Sequence, residues 1–360
     1  MNINKYFVKR YAAAFCGILG ILLVFVSVYL TSVFVSCKIT PDGISIVTGD
    51  FTAPELKRFS AESGNELVVN FSEEVRITDA LITAEIDGTV FAGIEIPDGL
   101  SQTQHLVLSQ QMTAGQKYRV SGIAEDRKGN SLSFSVGFSG YNSRVPALVL
   151  SEVRSEYSKP KVEFIELYAV TAGNLAGVML MSAYDGADCM YEFAPCEVAA
   201  GEYIVLHYRK LDDGSAYADE TGSNLALSGG TDSSGSRDFW VNNTSARIGK
   251  SDVILLRERA GGRLLDALLY SESSKSAWKD DTLRKAAEEA AQAGLWESGD
   301  TASAVVSDKM TVTRTMGRQN IPQIAATRSY SGAANGKAVW MVTASSSASP
   351  GSPNSSAPAQ

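Results

Sequence analysis

The pattern of strand, turn and strand is clearest in Lys117-Tyr-Arg-Val-Ser121, Lys128-Gly129-Asn130 and Leu132-Ser-Phe-Ser-Val-Gly-Phe138. The outer segments are rich in β-branched or aromatic residues and alternate in part between apolar and polar positions, which is typical of strands with one buried face. Gly129 and Asn130 suit a turn because a positive φ costs them little. This stretch therefore predicts two β-strands joined by a glycine turn.

The same pattern fills residues 44–142. Further strands are predicted at 44–48, 66–71, 80–86 and 104–108, separated by Ser63-Gly64-Asn65, Asp87-Gly88, Asp98-Gly99 and Ala114-Gly115. Short strands at this spacing, with glycine turns between them, indicate an antiparallel β-sandwich.

A second set of strands follows, at 147–153, 162–168, 174–180, 201–207, 251–257 and 264–270. We place this second domain at 146–354, with an insertion at 271–339 and a disordered tail at 355–360. Within the insertion, apolar residues at three-to-four spacing from Leu283 to Leu295, after Asp280 and Asp281, predict a helix over 280–296. Residues 311–314 are expected to form another strand.

Composition excludes several classes of protein. The 360 residues carry 40 acidic and 32 basic side chains, a net charge of −8, which argues against a nucleic-acid binder. Two histidines and four cysteines exclude a His-rich metal centre and a multi-disulfide scaffold. The length predicts two or three domains.

The first 37 residues predict the compartment. Lys5, Lys9 and Arg10 form a basic tip at residues 1–10, and residues 11–37 contain no charge. As a helix these 27 residues reach about 40 Å, enough for a hydrocarbon core of about 30 Å. The positive-inside rule then places the tip in the cytoplasm and the chain beyond a linker at 38–43 outside.

The apolar run is either an uncleaved anchor or an export signal. Its length exceeds the usual signal core of about 7–15 residues, which favours an anchor. It ends in Phe34-Val-Ser-Cys37, which resembles the lipobox of bacterial lipoproteins and implies lipidation of Cys37. Either alternative gives a membrane-anchored protein on the exported side of a bacterial cell envelope, in the periplasm or on the surface.

The first strand-rich region resembles the bacterial Ig-like domains of exported proteins. The resemblance rests on three stretches: Asn65-Glu-Leu-Val-Val-Asn-Phe-Ser-Glu-Glu-Val75, Met112-Thr-Ala-Gly-Gln-Lys-Tyr-Arg-Val120 and Glu125-Asp-Arg-Lys-Gly-Asn130. It implies a spacer or binding module in which Phe71 and Tyr118 are buried.

The second region is similar to the lamin tail domain, an Ig-type β-sandwich. The matching pieces are Ser151-Glu152, Phe164-Ile-Glu-Leu-Tyr168, Leu175-Ala-Gly177, Ala200-Gly-Glu-Tyr203, Leu265-Asp-Ala-Leu-Leu-Tyr270, and Pro350-Gly-Ser-Pro-Asn354 after Trp340. Together the two resemblances imply an all-β fold: two Ig-like antiparallel β-sandwiches in tandem after an N-terminal hydrophobic helix, with a short α-helical insertion in the second sandwich.

No catalytic set is evident. His105 and His207 are the only histidines, and each lies on a predicted strand among apolar neighbours, which is typical of a partly buried structural histidine. There is no Gly-x-Ser-x-Gly elbow and no phosphate-binding glycine motif. We therefore predict that the protein is not an enzyme and carries no cofactor.

Two local features remain as candidate sites. Cys189 and Cys196 are separated by six residues in an exported domain, so a local disulfide is plausible. Asp212, Asp213, Asp219 and Glu220 supply the oxygen ligands that Ca²⁺ prefers, but they lack the Asp-x-Asp-x-Asp-Gly spacing. An acidic surface loop over 212–237 is the favoured interpretation of that cluster.

Three functions are compatible with these features. The first is a non-catalytic, membrane-tethered exported protein that binds an envelope protein or glycan, or acts as an envelope scaffold. The second is an accessory module for an exported hydrolase or nucleic-acid-processing partner, with a basic patch of Arg314, Arg318, Arg328 and Lys337. The third is a calcium- or carbohydrate-dependent adhesin that uses the 212–237 loop or the 271–339 insertion.

Overall fold

The computed structural model describes residues 51–91, 93–155, 162–184, 190–211, 217–222, 235–245, 248–307, 314–319, 336–344 and 348–356. The apolar segment 11–37 with Cys37, the linker 38–43 and the predicted strand 44–48 lie outside these ranges. Among the described residues, no helix combines the length and the apolar character needed to cross a membrane. The chain divides into two compact units, Met1–Thr52 and Ala53–Gln360, and the second of these is described below.

Six strands form the N-terminal sheet. They are β1 (Leu56–Ser63), β2 (Glu66–Ala84), β3 (Ile94–Glu95), β4 (Ser101–Leu108), β5 (Lys117–Asp126) and β6 (Ser131–Ser139). All pairs are antiparallel, in the order β3-β4-β2-β5-β6, with β1 also paired to β2.

The long strand β2 organises this sheet. Its first part pairs with β1 and β4, and its second part, from Val75 onward, pairs with β5. The prediction of separate strands at 66–71 and 80–86 is wrong, because the intervening residues contain no glycine or proline and Val75 and Ile77 are buried. The predicted burial of Phe71 and Tyr118 is confirmed, as is the positive φ of Gly129; Gly115 also has a positive φ.

Thirteen strands and one α-helix, among the described residues, form the C-terminal body. They are β7 (Leu148–Arg154), β8 (Phe164–Ala169), β9 (Gly173–Asn174), β10 (Met179–Ser182), β11 (Met190–Glu192), β12 (Glu197–Val198), β13 (Tyr203–His207), β14 (Arg237–Trp240), β15 (Asp252–Arg257), β16 (Leu264–Ser271), α1 (Asp281–Gln292), β17 (Val305–Val306), β18 (Arg314–Arg318) and β19 (Trp340–Ala344).

Two larger sheets of the C-terminal body share one core. The five-stranded sheet has the order β11-β10-β15-β16-β17, and the six-stranded sheet has the order β14-β13-β8-β7-β18-β19; β9 and β12 form a separate pair. Leu150 and Ile165 of the larger sheet and Leu255 and Leu268 of the smaller one are fully buried in the same apolar cluster. The predicted all-β fold is therefore confirmed.

The arrangement is not purely antiparallel, which corrects the prediction. β13 and β14 run parallel, as do β16 and β17. A parallel neighbour needs a long connection, and the chain supplies one in each case: 29 residues lie between His207 and Arg237, and the stretch between Ser271 and Val305 includes α1. The strand β14 begins inside the stretch that the sequence predicted as an acidic loop.

The predicted helix in the insertion is confirmed as α1. Asp280 is its N-cap and accepts hydrogen bonds from the backbone N–H groups of Thr282 and Leu283, at 3.0 and 3.1 Å. Leu283 and Ala287 lie on its buried face and join the core beside β15 and β16.

A C-terminal strap, which we define as residues 349–354, lies over β7, β8 and β18. The Ser349 N–H donates to Glu152 Oε2 at 2.9 Å, and the Gly351 N–H donates to Glu166 Oε2 at 2.6 Å. Asn354 Nδ2 donates to the carbonyls of Ser151 and Arg318, each at 2.9 Å. The composition of this segment gave no sign of such anchoring.

The N-terminal sheet and the C-terminal body meet at a defined junction. Lys117 Nζ lies 2.5 Å from Glu192 Oε2, and Asn142 Nδ2 donates to the carbonyls of Asn174 and Ala176 at 2.7 and 2.9 Å. Gly115 is so close that a Cβ on it would lie 2.8 Å from the Ala176 Cβ. These contacts give the two parts a fixed relation.

Candidate functional site

The two predicted cysteine partners are only half described. Cys196 is buried, and burial raises the pKa of its thiol. Cys189 lies outside the described residues, so the disulfide stays a prediction.

Asp219 and Glu220, the described members of the acidic cluster, accept hydrogen bonds from other groups of the chain. Asp219 accepts from the Tyr191 hydroxyl at 2.5 Å and from the Trp240 N–H at 2.9 Å. Glu220 Oε2 accepts from the Asp238 N–H at 2.9 Å. Asp212 and Asp213 lie outside the described residues, and within these no group of three or more His, Cys, Asp or Glu side chains could hold a metal ion.

The histidines lie in contrasting environments. His105 is exposed, with Nδ1 2.8 Å from Glu66 Oε1, so its predicted partial burial is wrong: it occupies an outward position of the alternating strand β4. His207 is fully buried; its Nε2 lies 3.2 Å from Asp238 Oδ1, and its ring stacks on Trp240 with centroids 3.9 Å apart. Sequence reasoning missed this pair, because the parallel pairing of β13 and β14 brings together residues 31 positions apart.

The structure describes the side chains of two members of the predicted basic patch, Arg318 and Lys337. Arg318 is buried, and its Nη1 lies 2.5 Å from Asp266 Oδ2. Asp266 also accepts from the Leu150 N–H at 2.8 Å, so this pair ties β16 to β7 and β18. Lys337 is exposed and donates to the Ala302 carbonyl, whereas Arg328 lies outside the described residues.

A cleft lies at one end of the C-terminal body and has a volume of about 550 Å³. Strand ends from both large sheets converge on it: the C-terminal ends of β7, β10, β13 and β16 and the N-terminal ends of β8 and β15. Its lining residues are Ser155, Glu163, Tyr184, Arg209, Ile248, Gly249, Lys250, Ser251, Glu272, Lys275, Ala277, Trp278 and Lys279. Sequence reasoning missed this site because its residues come from six separate segments.

The charge of the cleft is positive. Among the described lining residues, four side chains are basic and two are acidic, which leaves an excess of two positive charges. Arg209 forms an ion pair with the buried Glu163. Lys275 and Lys279 are exposed at the rim, and neither has an ion-pair partner among the residues that the structure describes.

Two aromatic side chains form part of the wall. The Trp278 indole N–H donates to the Gly299 carbonyl at 2.7 Å, which fixes the orientation of the ring. The Lys279 ammonium lies 4.5 Å from the centroid of the Tyr184 ring, a cation–π contact. Both aromatic residues are half-buried, so they offer rigid apolar surface to a ligand.

Buried Asp252 holds two segments of the cleft wall in place. Its carboxylate accepts from the Tyr184 N–H at 2.9 Å, the Gly249 N–H at 3.0 Å and the Ser182 hydroxyl at 2.5 Å. Burial raises the pKa of Asp252 to about 7, although these hydrogen bonds act in the opposite direction. The shape of the cleft therefore depends on one buried acid.

The cleft and the junction lie at opposite ends of the C-terminal body. Tyr184 follows β10 and Ser251 precedes β15, and both line the cleft. Ala176 precedes β10 and contacts the N-terminal sheet, while Arg259 follows β15 and lies over the Tyr141 ring, 5.3 Å from its centroid. The cleft consequently points away from the N-terminal sheet.

These features define an all-β protein with a positively charged cleft at the far end of its second part. The family described as TP_1001_2nd, protein second domain, matches residues 146–342. This match covers more than half of the chain, and the chain belongs to that family.

Two further similarities were found. An uncharacterized protein of Treponema pallidum (strain Nichols) is 30% identical over 226 residues, which are 62% of this chain and 56% of that protein. The chain thus spans little more than half the length of this relative. The crystal structure of a DUF4876 family protein from Bacteroides thetaiotaomicron VPI-5482 is similar with a TM-score of 0.29 and 10% identity, over 69% of this chain and 83% of that one.

The family match corrects both resemblances drawn from the sequence. The interpretation as an Ig-like domain followed by a lamin tail domain is wrong, because residues 146–342 match the TP_1001 second-domain family instead. The quoted motifs are strand and turn signatures, such as a buried aromatic residue or a glycine turn. Those signatures report β-structure and recur in unrelated β proteins, so they do not identify a family.

Proposed function

We propose that this chain is a non-catalytic, membrane-tethered, exported protein that presents the cleft of its C-terminal body for binding in a bacterial cell envelope. In this proposal residues 11–37 form the membrane segment. The N-terminal sheet is the spacer, and the C-terminal body is a β-sandwich that carries the binding site.

The observation that carries the proposal is the position of the cleft. The junction with the N-terminal sheet and the cleft occupy opposite ends of the C-terminal body, so the N-terminal sheet does not cover the cleft. A cleft left open in this way is available to a ligand.

The junction supports the spacer role. Arg144 donates to both carboxylate oxygens of Glu197, each at 2.9 Å, in addition to the contacts of Lys117 and Asn142. The individual exposed ion pair contributes less than about 1 kcal/mol. Together with the close approach of Gly115 to Ala176, however, these contacts restrict movement of the N-terminal sheet against the C-terminal body.

Membrane fractionation tests the tether. We expect the full chain to stay in the membrane pellet through high salt and alkaline carbonate and to be released by detergent, because an apolar segment holds it rather than surface charge. A variant that lacks residues 11–37 is the matched control and is expected in the soluble fraction. Wild-type protein in the soluble fraction would overturn the proposal.

Mass spectrometry of the membrane-bound protein distinguishes the two kinds of tether. An intact N-terminal region supports the uncleaved anchor, whereas a new N-terminus at a diacylated Cys37 supports lipidation. Cys37→Ser removes the thiol that would be acylated, so it abolishes the diacylated N-terminus in the second case and leaves the intact N-terminal region unchanged in the first.

A further inference from the structure

We infer that the cleft binds a small anionic saccharide, that is, a sugar ring that carries a carboxylate or a phosphate. The inference rests on the proposed binding function and names the ligand class for the same site.

The size of the cleft suits one or two sugar rings. Its volume of about 550 Å³ lies within the range of about 300–1,000 Å³ that small-molecule sites occupy. Lining residues next to six strand ends form part of the wall, and Asp252 fixes the backbone at Tyr184 and Gly249. A preformed wall lowers the entropic cost of binding a small ligand.

The charge of the cleft selects an anion. Glu163 is paired with Arg209, whereas the exposed ammonium groups of Lys275 and Lys279 have no ion-pair partner in the described part of the chain. The chain as a whole is acidic, with a net charge of −8, and this local excess of positive charge therefore runs against the average. Ammonium groups bind carboxylates and phosphates through charge-assisted hydrogen bonds.

The remaining surface of the cleft suits a sugar ring. Trp278 is held in one orientation by its bond to Gly299 and contributes apolar surface for the C–H groups of the ring. The Ser155 hydroxyl lines the cleft, is buried, and has no hydrogen-bond partner in the described part of the chain. A buried hydroxyl without a partner is costly, and a ligand hydroxyl group would satisfy it.

Isothermal titration calorimetry on the full chain in detergent tests this inference with four probes: glucuronate, glucose 6-phosphate, glucose and inorganic phosphate. We expect glucuronate, glucose 6-phosphate or both to bind at least about tenfold more tightly than glucose and than inorganic phosphate. Which of the two anionic sugars binds identifies the acidic group. Raising the salt concentration should weaken their binding and leave that of glucose unchanged.

Variants locate the site. Lys279→Gln and Trp278→Phe should each weaken binding of the anionic sugar by about tenfold or more, because they remove a charge or the fixed indole. Lys128→Gln, an exposed lysine on the N-terminal sheet, is the matched control and should change nothing. Thermal unfolding of each variant checks that the fold is intact.

The following results would overturn the inference: no binding of any probe, equal binding of inorganic phosphate and glucose 6-phosphate, or an equal loss in Lys128→Gln. If no anionic sugar binds but the chain is still retained in membranes, the ligand class is wrong and the proposed tether stands. If the anionic sugar binds but the chain is not retained in membranes, the proposed tether is wrong and the ligand class stands.

Discussion

The C-terminal strap provides a stability test that depends on one side chain. In Asn354→Ala the chain loses the amide that donates to the carbonyls of Ser151 and Arg318, each at 2.9 Å. No other change to the strap is introduced, and Ser349 and Gly351 keep their backbone bonds to the buried carboxylates.

The expected magnitude follows from these two bonds. A net hydrogen bond contributes about 1 kcal/mol, and a buried carbonyl left without a donor adds a further cost, so we expect a loss of about 2–3 kcal/mol. For a body of this size 1 kcal/mol corresponds to about 2–4 °C in Tm. The melting temperature should therefore fall by about 5–10 °C.

Differential scanning calorimetry of wild type, Asn354→Ala and the matched control Ser352→Ala measures this effect. The Ser352 side chain is exposed on the same strap, so its removal should leave Tm unchanged. A loss of only a few tenths of a kcal/mol in the free energy of unfolding would place the Tm of Asn354→Ala within about 1 °C of the wild type. That result would refute the anchoring of the strap.

Three further predictions concern the junction, the cleft and the core. Gly115→Ala should destabilise the chain more than Gly88→Ala in urea unfolding, because both glycines have a positive φ but only Gly115 lies against the C-terminal body; equal effects would contradict the close junction. The Asp252 carboxyl keeps its proton in the folded chain up to about pH 7 but loses it near pH 3.8 in the unfolded chain. The contribution of this group to the free energy of unfolding therefore falls as the pH rises between those values, by on the order of 4 kcal/mol in total. Asp252→Asn should flatten the stability profile over that window, and an unchanged slope would argue against the raised pKa. Asp266→Ala should cost about 3–5 kcal/mol because it leaves the buried Arg318 guanidinium unpaired, and Asp266→Ala with Arg318→Met should recover part of the loss; no recovery would contradict the pairing.

Local patterns predicted the strands well where alternation and glycine turns were strong. The strands β5 and β6, the helix α1 and the burial of Phe71 and Tyr118 all follow from periodicity that a single segment carries. The strand β1 was missed because Leu56–Ser63 has little alternation, and it is specified by its pairing with β2.

The candidate site was harder to predict for a physical reason. A cleft at strand ends is formed by residues such as Ser155, Arg209 and Trp278, which are brought together only by the packing of two sheets. The buried pair of His207 and Asp238 likewise depends on a parallel neighbour that local periodicity does not specify. Family membership was also out of reach, because strand and turn motifs report secondary structure rather than descent.

Export of the C-terminal body is the claim on which the proposed function depends. Alkaline phosphatase fused after Gln360 measures it directly, because this reporter is active only beyond the cytoplasmic membrane. The wild-type fusion is predicted to be active, and a fusion lacking residues 11–37 is predicted to be inactive. An inactive wild-type fusion that is expressed at the same level would contradict an exported, membrane-tethered protein.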